Sequence, residues 1–470
     1  MELQAGNVPN DAPPDLITHY NRMNLLYSYK NFTGSVRYEH FLHPDQEKEY
    51  HKLTQYQLNY RDKGIELKAG HFNETLGNGI LLRSYEIPGA VFEDQAYRVR
   101  QGFYRDLRGF SASYNHQYFR VKIVHGRSLL NVLPPTLEKK ERRPDLSEAL
   151  QLETRLLKQN IGIILLRNHN NGLKESFASL FLKGLLPGSL GYNLEFARQV
   201  NDPSLFRIES GSSYGLYGSL NYSLGNLGLS LEYKNYRNIF IGAGISDPPT
   251  LIREQNYRVL NRSIHVPELS DESGIQLEGF YSFGNGDLLT INYARTKNDL
   301  NRIFIFHEYF LEYEMGFRDY DILRIFLDYS QDPLRLENHR YSGGFLLESL
   351  AFSELGLSLQ AEYQYFERDV IQRQFIHNSV IIGSIYVPSS WSIAFNFESS
   401  TDPLQLALLP GPGERRIRLW PGISGTWQID RANKLSFFAG KRRGGPACTS
   451  GICYEVLDFE GFELRLTTKF

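Results

Sequence analysis

GFELRLTTKF, residues Gly461 to Phe470, decides the fold. Phe462, Leu464, Leu466, Thr468 and Phe470 share one parity, and Glu463, Arg465, Thr467 and Lys469 share the other. A period of two marks a strand with one apolar and one polar face. The pattern recurs upstream. Leu355, Leu357, Leu359, Ala361, Tyr363 and Tyr365 alternate with Ser358, Gln360, Glu362 and Gln364. Trp391, Ile393, Phe395 and Phe397 alternate with Ser392, Asn396 and Glu398. Phe119, Val121 and Ile123 oppose Arg120 and Lys122; Leu323, Ile325 and Leu327 oppose Arg324 and Asp328; Ile65, Leu67 and Ala69 oppose Glu66 and Lys68. A soluble sheet and a membrane barrel both give this alternation, with the faces reversed. The strand count separates them. Roughly 22 short strands without a notable helical segment make a poor soluble domain and a natural barrel.

Turn chemistry sets the spacing. Tight turns fall near Asn31-Phe32-Thr33, Asp62-Lys63-Gly64, Asn115-His116-Gln117, Lys158-Gln159-Asn160, Pro187-Gly188-Ser189 and Gly225-Asn226. They continue near Gly284-Asn285-Gly286, Arg318-Asp319, Ser353-Glu354, Pro388-Ser389-Ser390 and Asp430-Arg431. Gly, Asn, Asp and Pro at these points are hairpin chemistry. Between them stand longer polar segments such as His43 to His51, Asn131 to Asp145, Arg237 to Glu272 and Gly444 to Gly451. Short turns at one rim and long loops at the other describe a single large antiparallel transmembrane β-barrel, all-β, over residues 1–470. Eleven hairpins plus the last strand make 23 staves. An even barrel needs one more ahead of Met23, with Glu2 to Asn7 as its remnant or its whole, so about 24 strands are expected (range about 20–26).

Composition agrees. The chain has 470 residues, with 30 Tyr and 30 Phe against 3 Met and 2 Cys. Tyr and Phe suit strands and the interfacial girdles of a barrel. No run approaches the ~18 apolar residues of a membrane-spanning helix, which says nothing against a barrel. A mean hydropathy of −0.38 fits a polar lumen and polar loops. The net charge of −2 implies no nucleic-acid partner. Met1-Glu2-Leu3-Gln4 shows neither the basic start nor the apolar segment of an export signal. That start is expected of a chain whose signal is already removed; a cytoplasmic protein is the competing reading. Cys448 and Cys453 sit in the loop GGPACTSGIC. A disulfide formed in an oxidising compartment is expected, with two separate thiols as the alternative. The pair makes a poor metal site, and no metal or cofactor is expected.

Two long segments carry the functional candidates. Residues 73–109 bring Arg83, Arg98, Arg100, Arg105 and Arg108 together with Glu86, Glu93, Asp94 and Asp106. Folded inward, they would narrow a pore between opposed charges, a transverse field that orients polar solutes. As an outer loop they would be solvated ion pairs of little worth. Residues 237–272 contain Pro248-Pro249, Tyr257, Val259 and Leu260, with Asn261, Arg262 and His265 as donors for a polar ligand. The alternative there is an external lid without a ligand. Arg120, Lys122 and Arg324 would face the lumen from the strands. Catalytic signatures such as H-E-x-x-H and the Walker loop do not occur, and no enzyme is expected. Ser212, Ser213, His169 and His377 could be imagined in a triad, at the level of chance for 12 His in this length.

The segments Tyr27 to Phe41, Leu67 to Glu86 and Pro248 to Pro267 resemble an uncharacterised, porin-like family of outer-membrane barrel proteins of the Bacteroidota type. The likeness covers most of the chain. It implies an outer-membrane location, contact with a lipid bilayer and lipopolysaccharide, and a terminal Phe470 that belongs to the insertion signal. It implies no activity. A channel for small polar solutes with a mixed-charge lumen is the leading expectation. A non-conducting structural barrel that docks outer-membrane or surface proteins, in secretion or assembly, is the alternative.

Overall fold

The computed structural model describes the chain except residues 10, 95–97, 130–141, 171, 201–212, 242–247, 252, 267–270, 301, 319–320, 353, 370–372, 406–416 and 450–451. Ser212, Gly242-Ala243-Gly244 and Gly411-Pro412-Gly413, with much of the expected Asn131–Asp145 loop, lie outside those residues, as do the side chains of Cys448 and Cys453.

Twenty-four antiparallel strands form one closed sheet. All eleven expected hairpins join consecutive strands, from Ile17–Tyr29 with Phe32–Leu42 to Arg418–Gln428 with Asn433–Arg442. At two of their turns, Lys30 and Lys63 take positive φ (51° and 42°), the twist a tight hairpin demands. The stave required by parity is Glu2–Asn7. It pairs antiparallel with Ile17–Tyr29 on one side and with the final strand, Phe459–Thr468, on the other. This seam is short, with four registered pairs on one side and six on the other. Gly6 and Gly461 face each other across it, at φ of 148° and 151°. A Cβ on Gly6 would stand 2.2 Å from the Glu460 carbonyl oxygen, so a side chain there would push the two strands apart.

Burial runs opposite to that of a soluble sheet. Leu357, Leu359 and Tyr363 are 40%, 43% and 51% exposed, while Glu362 and Gln364 between them are 3% and 0%. Ile325 and Leu327 are likewise exposed against a buried Asp328, and Phe395 and Phe397 against buried Asn396 and Glu398. The charged face therefore points inward and the apolar face outward, where a bilayer would satisfy it. Tyr293, Tyr309, Tyr329, Tyr341 and Tyr365 are direct neighbours in register across five strands. This outward row of phenols is the kind of belt that sits at a membrane–water interface.

A uniformly polar lumen is not what folds. Ile164, Leu166, Phe177, Phe181 and Tyr236 are buried on the inward parity. They join Leu76, Ile80, Leu81 and Leu82 of the 73–106 loop in one apolar cluster. The reason is visible in Ile161-Gly162-Ile163-Ile164-Leu165-Leu166, where both parities are apolar and the strand is covered on both faces. The same loop also forms a two-stranded ribbon, Tyr85–Glu93 with Arg100–Arg105. A second ribbon, Gly445–Thr449 with Ile452–Val456, rises from the last long connection.

Candidate functional site

Two loops reach inward-facing side chains of the wall, each by different chemistry. The turn at Leu76–Leu82 is held by area. Leu76, Ile80 and Leu81 are fully buried, and sealing each such side chain contributes roughly 1.5–3 kcal/mol. Its polar tip is matched as well: Gly77 N–H donates to Gln151 Oε1 at 3.2 Å, and Asn78 N–H donates to the Glu195 carboxylate. Gly77 has φ of 55° and lies so close to the wall that a Cβ would stand 2.6 Å from Glu195 Oε2 and 2.8 Å from Ile164 Cδ1. Beneath it Glu74 accepts from Lys68 at 2.7 Å and from Lys122 at 2.6 Å.

The short helix Arg258–Asn261 and the residues after it are held by charge. Glu362 accepts from the backbone N–H groups of Arg258 and Val259 at 3.0 and 2.8 Å. Glu398 takes Arg258 Nη1 at 2.9 Å and also pairs with Arg262. Tyr257 stacks on Phe326 with ring centroids 3.8 Å apart. His265 lies on Phe306 at 4.5 Å and binds Asp332 through Nδ1 at 2.9 Å, with Glu272 at 3.5 Å from Nε2. Burial pulls this imidazole down, but its bonds to Asp332 and Glu272 outweigh that and raise its pKa to about 9. Arg262 also donates to the carbonyls of Arg443 and Gly444 at 2.9 and 3.2 Å, tying the helix to the foot of the second ribbon.

The charged residues expected to form one constriction are distributed differently. Glu86 pairs with Arg37 at 2.7 Å. Arg98 binds Glu93 at 2.6 Å and donates to Asn7 Oδ1 at 2.7 Å. Arg100 pairs with Glu2 and stands 3.6 Å from Glu93. Both arginines thus brace the seam from inside. Arg105 lies over the Tyr85 ring at 5.8 Å, and Asp106 stands 3.5 Å from His71. Arg83 bridges to Thr75 through the backbone. Arg120 is half-buried on the inward parity, while Arg324 binds Glu314 at 2.5 Å. Arg108 is set apart: it is exposed on the outward parity it shares with exposed Phe110, because the strand Leu107–Asn115 begins before it and fixes its side by period two. Phe470 is fully exposed beyond the last strand. Cys448 and Cys453 are register partners in the second ribbon.

Above the helix two cavities adjoin. One, of about 360 Å³, is lined by Arg258, Asn261, Arg262, Glu398, Trp420 and Arg443 among others. The other, of about 560 Å³, is lined by His265, Arg335, Phe366, Arg368 and Asp402, and shares Arg262 and Arg443 with the first. Sequence reading found Asn261, Arg262 and His265 but missed Glu398, Trp420 and Arg443. Glu398 stood in a recognised alternation, yet nothing local shows that a loop some 140 residues earlier will meet it.

A closed 24-strand sheet with apolar side chains outside and ionic networks inside is the architecture of an outer-membrane-type β-barrel. The chain belongs to a family of unknown function, DUF6029, whose model matches residues 6–332. No curated protein matches it. Among solved structures, the P pilus usher (PapC) translocation pore is similar at a TM-score of 0.49 and 10% identity, over 100% of this chain and 98% of that one. A chain of the E. coli P pilus tip assembly intermediate PapC-PapD-PapK-PapG is similar at 0.52 and 9% identity, over 98% of this chain and 59% of that one. Pseudomonas aeruginosa OccK2 (OpdF), solved with glucuronate, is similar at 0.36 and 15% identity, over 79% of this chain and 92% of that one. At these identities the likeness concerns the fold.

Proposed function

We propose that the protein is an outer-membrane channel of the porin kind, passing small polar solutes through a lumen of mixed charge. The observation that carries this reading is the inverted burial: an exposed apolar wall with a tyrosine belt outside, and the network of Glu362, Glu398, Arg258 and Arg262 within. About 24 strands enclose a lumen too wide for strand side chains alone to fill, so the two inward loops set its cross-section. The Leu76–Leu82 turn with its ribbon, and the helix Arg258–Asn261 with His265, act as the inner elements of the channel, and the outer wall contacts bilayer lipid and lipopolysaccharide. The segments Tyr27 to Phe41 and Leu67 to Glu86 support a Bacteroidota-type origin.

The test is planar-bilayer conductance of the purified chain. Stable, ohmic steps support the channel. Silence from protein whose unboiled band still migrates as a folded barrel overturns it. One observation favours the second reading, a non-conducting barrel that docks outer-membrane or surface proteins. The Leu76–Leu82 turn is packed dry against the wall, as a permanent plug would be. Partners co-purifying with a silent barrel would support that reading.

A further inference from the structure

The cavity above the helix holds more positive charge than its own carboxylate answers. Arg258, Arg262 and Arg443 line it, and Glu398 is the acid lining it among the described residues. Glu398 is already engaged by Arg258 at 2.9 Å and by Arg262. Among the described residues, the hydrogen-bond partner of the Arg443 guanidinium is the amide oxygen of Asn378, at 3.3 Å through Nη1. Its Nε is buried without a hydrogen-bond partner among the described residues, and so is the indole Nε1 of Trp420. The two groups are neighbours, with the Arg443 guanidinium carbon 5.3 Å from the Trp420 ring centroid. Trp420 is 1% and Arg443 7% exposed. Burial, and then the Arg262 guanidinium, push the Arg443 pKa down to about 10 against the pull of Glu398, Asp402 and Asp458. Buried donors left open in this way are costly until something accepts from them. Aromatic and guanidinium groups around a hollow of this size are what a small polar ligand needs.

We propose that this cavity binds a small solute bearing an oxyanion, a carboxylate or a phosphate, which accepts from Arg443 Nε and Trp420 Nε1 while its hydroxylated remainder extends into the adjoining cavity of about 560 Å³. The site lies where the helix, the wall and the foot of the second ribbon meet, so a bound anion links all three. As a selector of permeating solutes it rests on the channel reading; as a binding site it does not.

The experiment is calorimetric titration of the full-length protein in detergent with D-gluconate, inorganic phosphate and D-glucose. Gluconate or phosphate should bind and glucose should not; whichever anion binds tighter identifies the headgroup. Trp420→Phe keeps the ring and removes one donor. Arg443→Lys keeps the charge and removes Nε. Each should weaken the anion about tenfold or more, with the folded band on a detergent gel unchanged. Glucose binding as tightly as gluconate, no binding by either anion, or anion affinity unaltered in a folded Trp420→Phe protein overturns the proposal. Anion binding by a barrel that conducts nothing would sink the channel alone; conduction without binding would sink this site alone.

Discussion

The two inward loops occupy one barrel and are fastened in opposite ways. Leu76–Leu82 is sealed by apolar area and meets the wall through Gly77, where an added methyl group would have to displace the ends of the Glu195 and Ile164 side chains. Arg258–His265 is pinned by Glu362, Glu398, Asp332 and Glu272, and borders hollow space on its upper side. Apolar packing carries no charge to titrate or screen and so answers weakly to pH and to modest salt, whereas ion pairs answer to both. One loop is therefore built to stay and the other to respond. A channel with such a pair has a fixed partition and an adjustable one.

The comparison breaks most severely if the dry loop can be wetted without consequence. Ile80→Asp places a carboxylate in the apolar cluster, and is expected to cost more than about 4 kcal/mol. The readout is loss of the heat-modifiable folded band at urea concentrations the parent protein withstands. Next comes the ionic loop. Glu398→Gln leaves Arg258 and Arg262 without their shared carboxylate, a local loss of roughly 3 kcal/mol. Trypsin should then cut after Arg258 or Arg262 while the global urea midpoint stays put. A midpoint that falls with it would mean that the two loops are one unit.

A graded effect belongs to His265. Its folded-state pKa of about 9 lies above the ordinary 6.5, so its contribution is complete below about pH 6.5 and disappears as pH rises through about 9. Channel noise or trypsin sensitivity of the loop should climb across that window, and His265→Gln should flatten the profile. The smallest effect is expected at the second ribbon. Cross-strand partners stand about 4.5–5.5 Å apart at Cα, within disulfide range, so Cys448 and Cys453 should resist alkylation until reduced. Because that ribbon lies outside the closed sheet, Cys448→Ser should change the global unfolding free energy by less than about 0.5 kcal/mol.

The wall was largely legible in the sequence because period two and hairpin turns are local signals; the alternation at Leu355–Tyr365 reads directly as the lipid side and the lumen side. Parity alone pointed to Glu2–Asn7 as the missing stave. The interior was less legible. Arg98, Arg100 and Glu86 were grouped by closeness along the chain, yet each meets a partner set by barrel closure: Asn7, Glu2 and Arg37. The apolar cluster did leave a trace, the two-sided run at Ile161–Leu166, which signals a strand covered on both faces. Trp420 and Arg443 left none. They stand close because the strands Arg418–Gln428 and Asn433–Arg442 pair, but the cavity they line depends on the path of a loop from the far side of the sequence.

The seam carries a consequence for how the molecule comes to exist. Gly6 and Gly461 face each other where the first and last strands pair, and two residues of the first strand, Glu2 and Asn7, are caught by Arg100 of the inner ribbon's second strand and by Arg98 just before that strand. That ribbon works as a keystone. Closure of the cylinder and seating of that inner ribbon rest on shared contacts, so a change that loosens one loosens the other.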